Sequence, residues 1–447
     1  MNENNNLTIG NVRTTMLRFV LPYLLSCFLQ TFYGMADLFV VGLYNGSETT
    51  TAVSIGSQVM HMLTVMIVGL AMGTTVRIAR AVGAGDERDA QDTVGTTAAF
   101  FAIAAVIVTA VLLAATQGIT RIMMTPVEAV EETNRYLFIC FAGIPFITAY
   151  NVISSVFRGA GDSKSPMLFV AVACAVNIVM DFVFIGGLGL GAAGAALGTI
   201  AGQAVSVVIA FLVIRRRQFG FAVTGRQIRC QKGTLAAILH VGIPVAMQDG
   251  LIQIAFIVIT VIANSRGLIA STGVGIVEKL ISFMFLVPSA FLSAISSITA
   301  QNMGAGKPGR ARESLRFGLF ITVCWGILCC LYCQFLPQTL VGLFSGDGAV
   351  VSAGSSYLRA YSFDCVFAAV HFCFSGYFCG DQKSGISFIH NIASILLVRI
   401  PGAYLASRFF PETLYPMGLA APLGSLLSAL ICVGFYLYYR KKEAASA

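Results

Sequence analysis

The hydrophobic and polar positions of the chain form long apolar runs that are separated by short clusters of glycine, proline and charge. A helix needs about 20 apolar residues to cross the hydrocarbon core of a bilayer. Windows of this kind recur twelve times, at 15–44, 52–77, 93–116, 133–157, 165–187, 192–214, 235–264, 271–303, 314–336, 355–379, 385–408 and 416–439. The pattern predicts an all-α polytopic protein with twelve transmembrane helices, some of them tilted or kinked because their windows exceed the length that a bilayer requires.

Composition agrees with this prediction. Hydrophobic residues make up 57% of the 447 positions and charged residues only 11%, whereas soluble domains are about 45–50% apolar and about 25% charged. Twenty-one of the 28 Lys and Arg residues fall in segments that face the cytoplasm if both termini are inside. Such asymmetry is typical of multi-pass proteins of the cell membrane. The net charge of +8 therefore indicates membrane topology, and nucleic acid is not expected as a partner.

The second half of the chain repeats the first. Four pairs of segments match in the same order: LRFVLP (17–22) with LHVGIP (239–244), VGAGDERDA (82–90) with MGAGKPGRA (303–311), GAGDSKS (159–165) with FCGDQKS (378–384), and GAALGT (194–199) with AAPLGS (420–425). These repeats predict two pseudo-symmetric six-helix lobes, 1–214 and 234–447, joined by a basic cytoplasmic linker, 215–233. Two such halves around a central cleft would suit alternating access, as in other transporters with parallel repeats.

Several motifs, in their order along the twelve spans, resemble the multidrug and toxic compound extrusion (MATE) family of prokaryotic type over essentially the whole chain. They are the early Pro22, the GAG loops after spans 2 and 8, RGAGD (158–162), NIVMD (177–181), GAALGT (194–199) and QNMGAG (301–306). The resemblance implies an antiporter, not an enzyme, that exports lipophilic organic cations in exchange for Na⁺ or H⁺. It implies no cofactor besides that ion. We expect small organic cations and the lipid bilayer as partners, and a monomer.

Polar residues inside the spans are the candidate functional groups. A carboxylate such as Asp181 costs roughly 2.5 kcal/mol or more at the centre of a membrane helix, so an acid there is a functional hypothesis by default. Asn177 lies on the same helix face at i, i−4, and Asp37, Tyr136 and Thr199 are predicted at a similar depth in spans 1, 4 and 6. Hard oxygen ligands suit Na⁺, and two close carboxylates can instead share a proton. A purely structural role, bridging neighbouring helices, is the alternative.

The family resemblance implies separate roles for these residues. By resemblance, Asp37, Asn177, Asp181 and Thr199 correspond to the family's amino-terminal cation site, which would be the only metal site if the ion is Na⁺. Gln30 and Tyr136 correspond to its surrounding network.

The second lobe does not copy this site, because Ile259 takes the place of Asp37 in the repeat. Its candidate cavity residues are Asp249, Glu278, Asp364 and Arg399. Asp364 resembles the acid that one branch of the family carries in span 10, whereas the span-7 Glu of that branch is replaced only loosely, by Asp249 and Gln253. A second ion site and an ion pair of Arg399 with Glu278 or Asp364 are both open interpretations.

Pro22 is a candidate hinge. Proline inside a helix removes a backbone hydrogen bond and clashes with the preceding turn, so span 1 is predicted to bend below Asp37. Pro244 stands at the equivalent position of span 7. A static kink that merely accommodates tilt is the alternative.

Two other function classes fit the sequence less well. A lipid-linked saccharide flippase of the same superfamily would usually line its cavity with cationic residues. Away from their ends, the predicted spans instead hold five acidic residues and two basic ones, Lys279 and Arg399. A membrane-embedded enzyme would need a nucleophile, a metal motif or an acidic cluster at the membrane surface. The sequence shows none of these, since the CxxC within CCLYC (329–333) lacks the second pair or His cluster of a zinc site.

Overall fold

The computed structural model describes residues 6–216 and 228–446, and in these two ranges it contains helices and no β-strand. The helices of the first half are Val12–Tyr44 (α1), Ser47–Ala84 (α2), Glu87–Ile122 (α3), Val130–Ala142 (α4), Ile144–Gly159 (α5), Lys164–Asp181 (α6) and Gly191–Arg216 (α7). Those of the second half are Lys232–Asn264 (α8), Leu268–Met284 (α9), Leu286–Gly304 (α10), Pro308–Phe335 (α11), Pro337–Gly342 (α12), Gly348–Tyr361 (α13), Asp364–Gly380 (α14), Ser384–Ser394 (α15), Ile400–Phe409 (α16), Tyr415–Gly418 (α17) and Ala420–Ser446 (α18).

Ten continuous or nearly continuous helices in the described residues are long and apolar enough to cross a membrane. Two bent pairs complete the set if each forms one span: a 3₁₀ turn with α4 and α5, bent by 48°, and α13 with α14, bent by 44°. The prediction of an all-α membrane protein is confirmed. Several helices extend well beyond their apolar windows, for example Ser47–Ala84 against 52–77, because polar residues at both ends continue the helix.

The repeated GAG loops are helix ends. Gly85 adopts the left-handed conformation (φ +72°) that ends α2, and the amides of Gly85 and Asp86 bond back to carbonyls of the last turn. Gly306 has the same conformation (φ +68°) after α10. A glycine is favoured at both places because other residues rarely adopt this conformation. Asp86 then caps α3, since its side chain accepts a bond from the amide of Asp89.

The contacts of the chain divide it into two compact units: residues 1–9 with 17–243, called the first unit, and residues 10–16 with 244–447, called the second unit. The predicted lobes, 1–214 and 234–447, differ from these units by the first turn of α1 and the opening part of α8. Residues 217–227 of the predicted linker lie outside the described part of the chain.

The same helix packing recurs inside each unit. In the first unit Gly159 of α5 lies against the backbone of Thr75, and in the second unit Gly380 of α14 lies against the backbone of Ser296. A side chain at either glycine would overlap the neighbouring helix, so the small residue is what permits the close approach, as is common between membrane helices. The internal repeat therefore extends from the sequence to the packing.

Candidate cation-coupling site

Three helices of the first unit, α1, α6 and α7, bring the four predicted ion-site residues together. The hydroxyl of Thr199 donates a hydrogen bond to Asp37 Oδ2 at 3.1 Å. Asn177 and Asp181 occupy the last turns of α6, and their side chains face Asp37. Asp37, Asn177 and Asp181 are buried, with Asp181 wholly inaccessible to solvent. The two acids thus share one enclosed polar cluster with an amide and a hydroxyl.

Two glycines of α7 make room for this cluster. A side chain at Gly198 would overlap the carboxylate of Asp181, and one at Gly202 would meet the backbone of Ala173 and the side chain of Asn177. Gly198 and Gly202 are spaced i, i+4, as are Asn177 and Asp181, so the two pairs face each other along the contact of α6 with α7. The sequence interpretation identified the polar residues and missed these glycines.

The helix geometry changes at the acid itself. Asp181 is the last residue of α6, and a π-helical segment, Phe182–Gly187, follows it directly. Such π-helical turns occur frequently at functional sites because they disturb the regular backbone ladder and reposition side chains. The second unit also contains a π-helical segment, Ile395–Arg399, after α15.

The cluster leaves many polar atoms without a partner. By strict hydrogen-bond geometry, Asp37 Oδ1, both carboxylate oxygens of Asp181 and both polar side-chain atoms of Asn177 are buried without a partner, although the Asp181 and Asn177 side chains lie close to the Asp37 carboxylate. Leaving such groups unpaired is costly, and two carboxylate charges side by side in a low-dielectric interior repel each other. A proton or a Na⁺ ion would relieve both costs. The carboxylate, amide and hydroxyl oxygens present are hard ligands of the kind that such a cation prefers.

Of the two residues that the resemblance placed around this site, Tyr136 adjoins it and Gln30 does not. The Tyr136 hydroxyl pairs with Ser57 Oγ at 3.1 Å, and its buried ring lies against Gly56 and within electrostatic range of Asp37. Gln30 is exposed, and its side chain faces Tyr150 of α5 rather than the acids.

Two further residues extend the cluster and were missed in the sequence. Tyr33 lies one helical turn before Asp37 and faces Gln203, which lies one turn after Thr199. Gln203 is buried, and its Oε1 has no hydrogen-bond partner. Their i, i+4 spacing from the predicted site residues is the signal that could have revealed them.

In the second unit the structure forms an ion pair. Arg399 Nη2 donates to Asp364 Oδ2 at 2.8 Å and lies 3.4 Å from Ser425 Oγ. Asp364 is completely buried. Glu278 instead accepts from the hydroxyl of Thr260, at 3.2 and 3.3 Å to its two oxygens.

Asp249, the fourth candidate, lies apart from this pair, beside Gln248 and Cys379. Pro22 and Pro244 both lie within continuous helices, α1 and α8. Hinge motion at Pro22 therefore stays a prediction.

The MatE family model matches the chain twice, at residues 22–183 and again at 244–405. The chain belongs to the MatE family. This confirms the resemblance found in the sequence, and because the family consists of transporters, the chain is a multi-pass membrane transporter and not an enzyme, as predicted. The double match also falls on the two halves that the internal repeat had indicated.

Individual relatives match this MatE protein over nearly its whole length. The probable multidrug resistance protein YpnP of Bacillus subtilis is 27% identical over 434 residues, which cover 97% of this chain and 96% of YpnP. An FAD transporter of Shewanella oneidensis is 24% identical, covering 100% and 99%. Among solved structures, a MOP superfamily transporter from Pyrococcus furiosus, described as having a binding pocket of reverse polarity, superposes with a TM-score of 0.92 at 23% identity, covering 100% and 99%. At that identity the likeness shows a common fold.

Proposed function

We propose that this MatE protein is an antiporter of the cell membrane that exports lipophilic organic cations in exchange for Na⁺ or H⁺ by alternating access. The observation that carries the proposal is the pair of buried acids, Asp37 and Asp181, whose oxygens lack partners in the first unit. An inward-moving cation would bind there. The multidrug resistance relative, similar over nearly the whole chain, supports drug export as the activity that this ion drives.

The chain's own residues suggest how ion binding is converted into a change of shape. Asp37 belongs to α1, whereas Asp181 belongs to α6 and Thr199 to α7. Without a bound cation the two carboxylates repel each other. A cation bound between them attracts both, so it favours the arrangement in which α1 lies close to α6 and α7. A ligand shifts a conformational equilibrium only through such a difference in affinity between states. The organic cation must favour the opposite state for exchange to be coupled.

Charge inside the spans supports a cationic cargo. Asp249 and Glu278 carry no ion-pair partner among the described residues, whereas the guanidinium of Arg399 is neutralised by Asp364. A lipid-linked saccharide flippase would need several free basic side chains for a pyrophosphate. Of the two bases inside the spans, Arg399 is already paired with Asp364, so the flippase is the weaker alternative. By the distribution of Lys and Arg we also expect both termini in the cytoplasm, and we expect the transporter to act as a monomer.

The test is transport of an ethidium-like dye in proteoliposomes in which a Na⁺ gradient and a pH gradient are imposed separately. We expect one of the two gradients to drive dye against its own gradient, and Asp37→Asn to abolish that drive. Equal dye movement with and without either gradient would contradict the proposed antiport.

A further inference from the structure

The repeat that builds the ion site in the first unit has a counterpart of opposite charge in the second. The matching segments GAALGT and AAPLGS align Gly198 with Gly424 and Thr199 with Ser425. Gly198 leaves room for the carboxylate of Asp181. Gly424 leaves room for Arg399, since a Cβ there would lie only 2.8 Å from Arg399 Cγ. The same helix contact thus accommodates an acid in one unit and a base in the other.

The neighbouring positions follow the same scheme. Thr199 donates to Asp37 in the first unit, and Ser425 contacts the Arg399 guanidinium in the second. Each charged residue also borders a π-helical segment. One segment begins directly after Asp181, and the other ends with Arg399. The negative charge of the second cluster is supplied by Asp364 from α14, which has no acidic equivalent in the first unit.

We propose that Arg399 is a built-in cation that takes, in the second unit, the place that an external ion takes in the first. This rests on the proposed function of the Asp37 and Asp181 site. Because the guanidinium lies 2.8 Å from the fully buried Asp364, that acid is already neutralised, and a second cation at the same place would be repelled. Arg399 therefore determines that a single ion is coupled in each cycle, through the first unit alone.

The surroundings of the pair fit a fixed charge. Tyr357 and Tyr361 are buried and within electrostatic range of Arg399 and Asp364. Glu278 lies near the same two tyrosines, but its carboxylate accepts from Thr260 and forms no ion pair with Arg399. A Glu278→Gln variant is therefore included as a control.

The experiment measures the thermal stability of the purified transporter as a function of Na⁺ concentration and pH. In the background Asp37→Asn with Asp181→Asn, we expect no cation-dependent rise in Tm. Adding Arg399→Gln to this background leaves the buried Asp364 carboxylate without its counter-ion. We therefore expect a Na⁺- or proton-dependent rise in Tm to appear. A further Asp364→Asn change should remove this gained response, and Glu278→Gln should leave it unchanged.

Two results would overturn the proposal. One is a cation response that persists in the Asp37→Asn, Asp181→Asn background with Arg399 intact and disappears on Asp364→Asn. The other is a folded Arg399→Gln protein that gains no response. If Arg399→Gln does not fold, the double variant Asp364→Asn with Arg399→Gln, in which the pair is neutral, tests whether the lost charge balance is the reason. In that case the number of ions exchanged per dye molecule by the unmodified protein tests the proposal. We expect a ratio of one, and a ratio of two contradicts the built-in cation.

The outcome can be separated from failure of the proposed function. If the unmodified protein shows neither gradient-driven transport nor a cation-dependent Tm, the first-unit site is wrong. A response gained on replacing Arg399 would still show that the guanidinium had occupied a cation site.

Discussion

At the scale of single residues, the two buried acids of the first unit should be indispensable for coupling but not for folding. Replacing Asp37 or Asp181 by Asn removes a buried charge that has incompletely paired oxygens, so we expect normal membrane insertion and an unchanged or higher Tm. Uphill dye efflux should fall by about tenfold or more, since each ~1.4 kcal/mol of lost ion affinity is a factor of ten. Efflux by cells with equal expression of each variant measures this.

The matched control is Glu87→Gln, an exposed acid in the first turn of α3, which should retain full efflux. Efflux equal to that of the unmodified protein in either Asp37→Asn or Asp181→Asn would show that this cluster does not couple transport.

The glycine beneath Asp181 provides a second residue-scale prediction. Gly198→Ala would place a methyl group against the Asp181 carboxylate and push α6 away from α7. We expect a loss of about 1–3 kcal/mol in the free energy of unfolding, as for overpacking elsewhere, together with loss of transport. Gly275→Ala is the control, because nothing lies within 4 Å of the added atom there. Equal thermal stability of the two variants would contradict the packing described for Gly198.

At the scale of elements, α1 is expected to bend at Pro22 in response to ion occupancy. The proline removes one backbone hydrogen bond, and Asp37 lies beyond it on the C-terminal part of the same helix. Neutralising Asp37 should draw that C-terminal part towards α6 and α7. Spin labels at Leu43, near the C-terminal end of α1, and at Leu190, just before α7, are at exposed positions and would report the distance across Na⁺ concentrations and pH values.

The exposed Cys230 and Cys324 would first be replaced so that only the introduced sites are labelled. We expect the distance distribution to shift with the coupling ion in the otherwise unmodified protein, and not in Asp37→Asn or Pro22→Ala. One distribution common to all conditions would identify the proline as a static kink.

At the scale of the whole molecule, cargo selection should follow charge more than shape. Acidic side chains outnumber basic ones in the interior of the spans, and the buried Arg399 is already paired with Asp364. A panel of cationic, neutral and anionic dyes of similar size, with a lipid pyrophosphate added, should show transport of the cationic members. Because one relative is an FAD transporter, a flavin dinucleotide belongs in the panel as an anion. Preferential transport of either anionic compound would move the protein to another substrate class.

The sequence alone determined the all-helical membrane architecture, the internal repeat and the acids of the first unit. These depend on apolar run length and on helical periodicity, which are local properties of the chain. Asn177 and Asp181 share a face because they are one turn apart, and their common depth with Asp37 follows from counting along the predicted spans.

Only the tertiary structure decided which polar groups meet. Gly198 and Gly202 lie against Asp181 and Asn177, and Gln30 faces Tyr150. Arg399 pairs with Asp364, whereas Glu278 accepts from Thr260. These choices depend on the rotation of each helix about its axis and on the register in which neighbouring helices pack. Both are set by side-chain volumes on several helices at once, so no single stretch of sequence contains them.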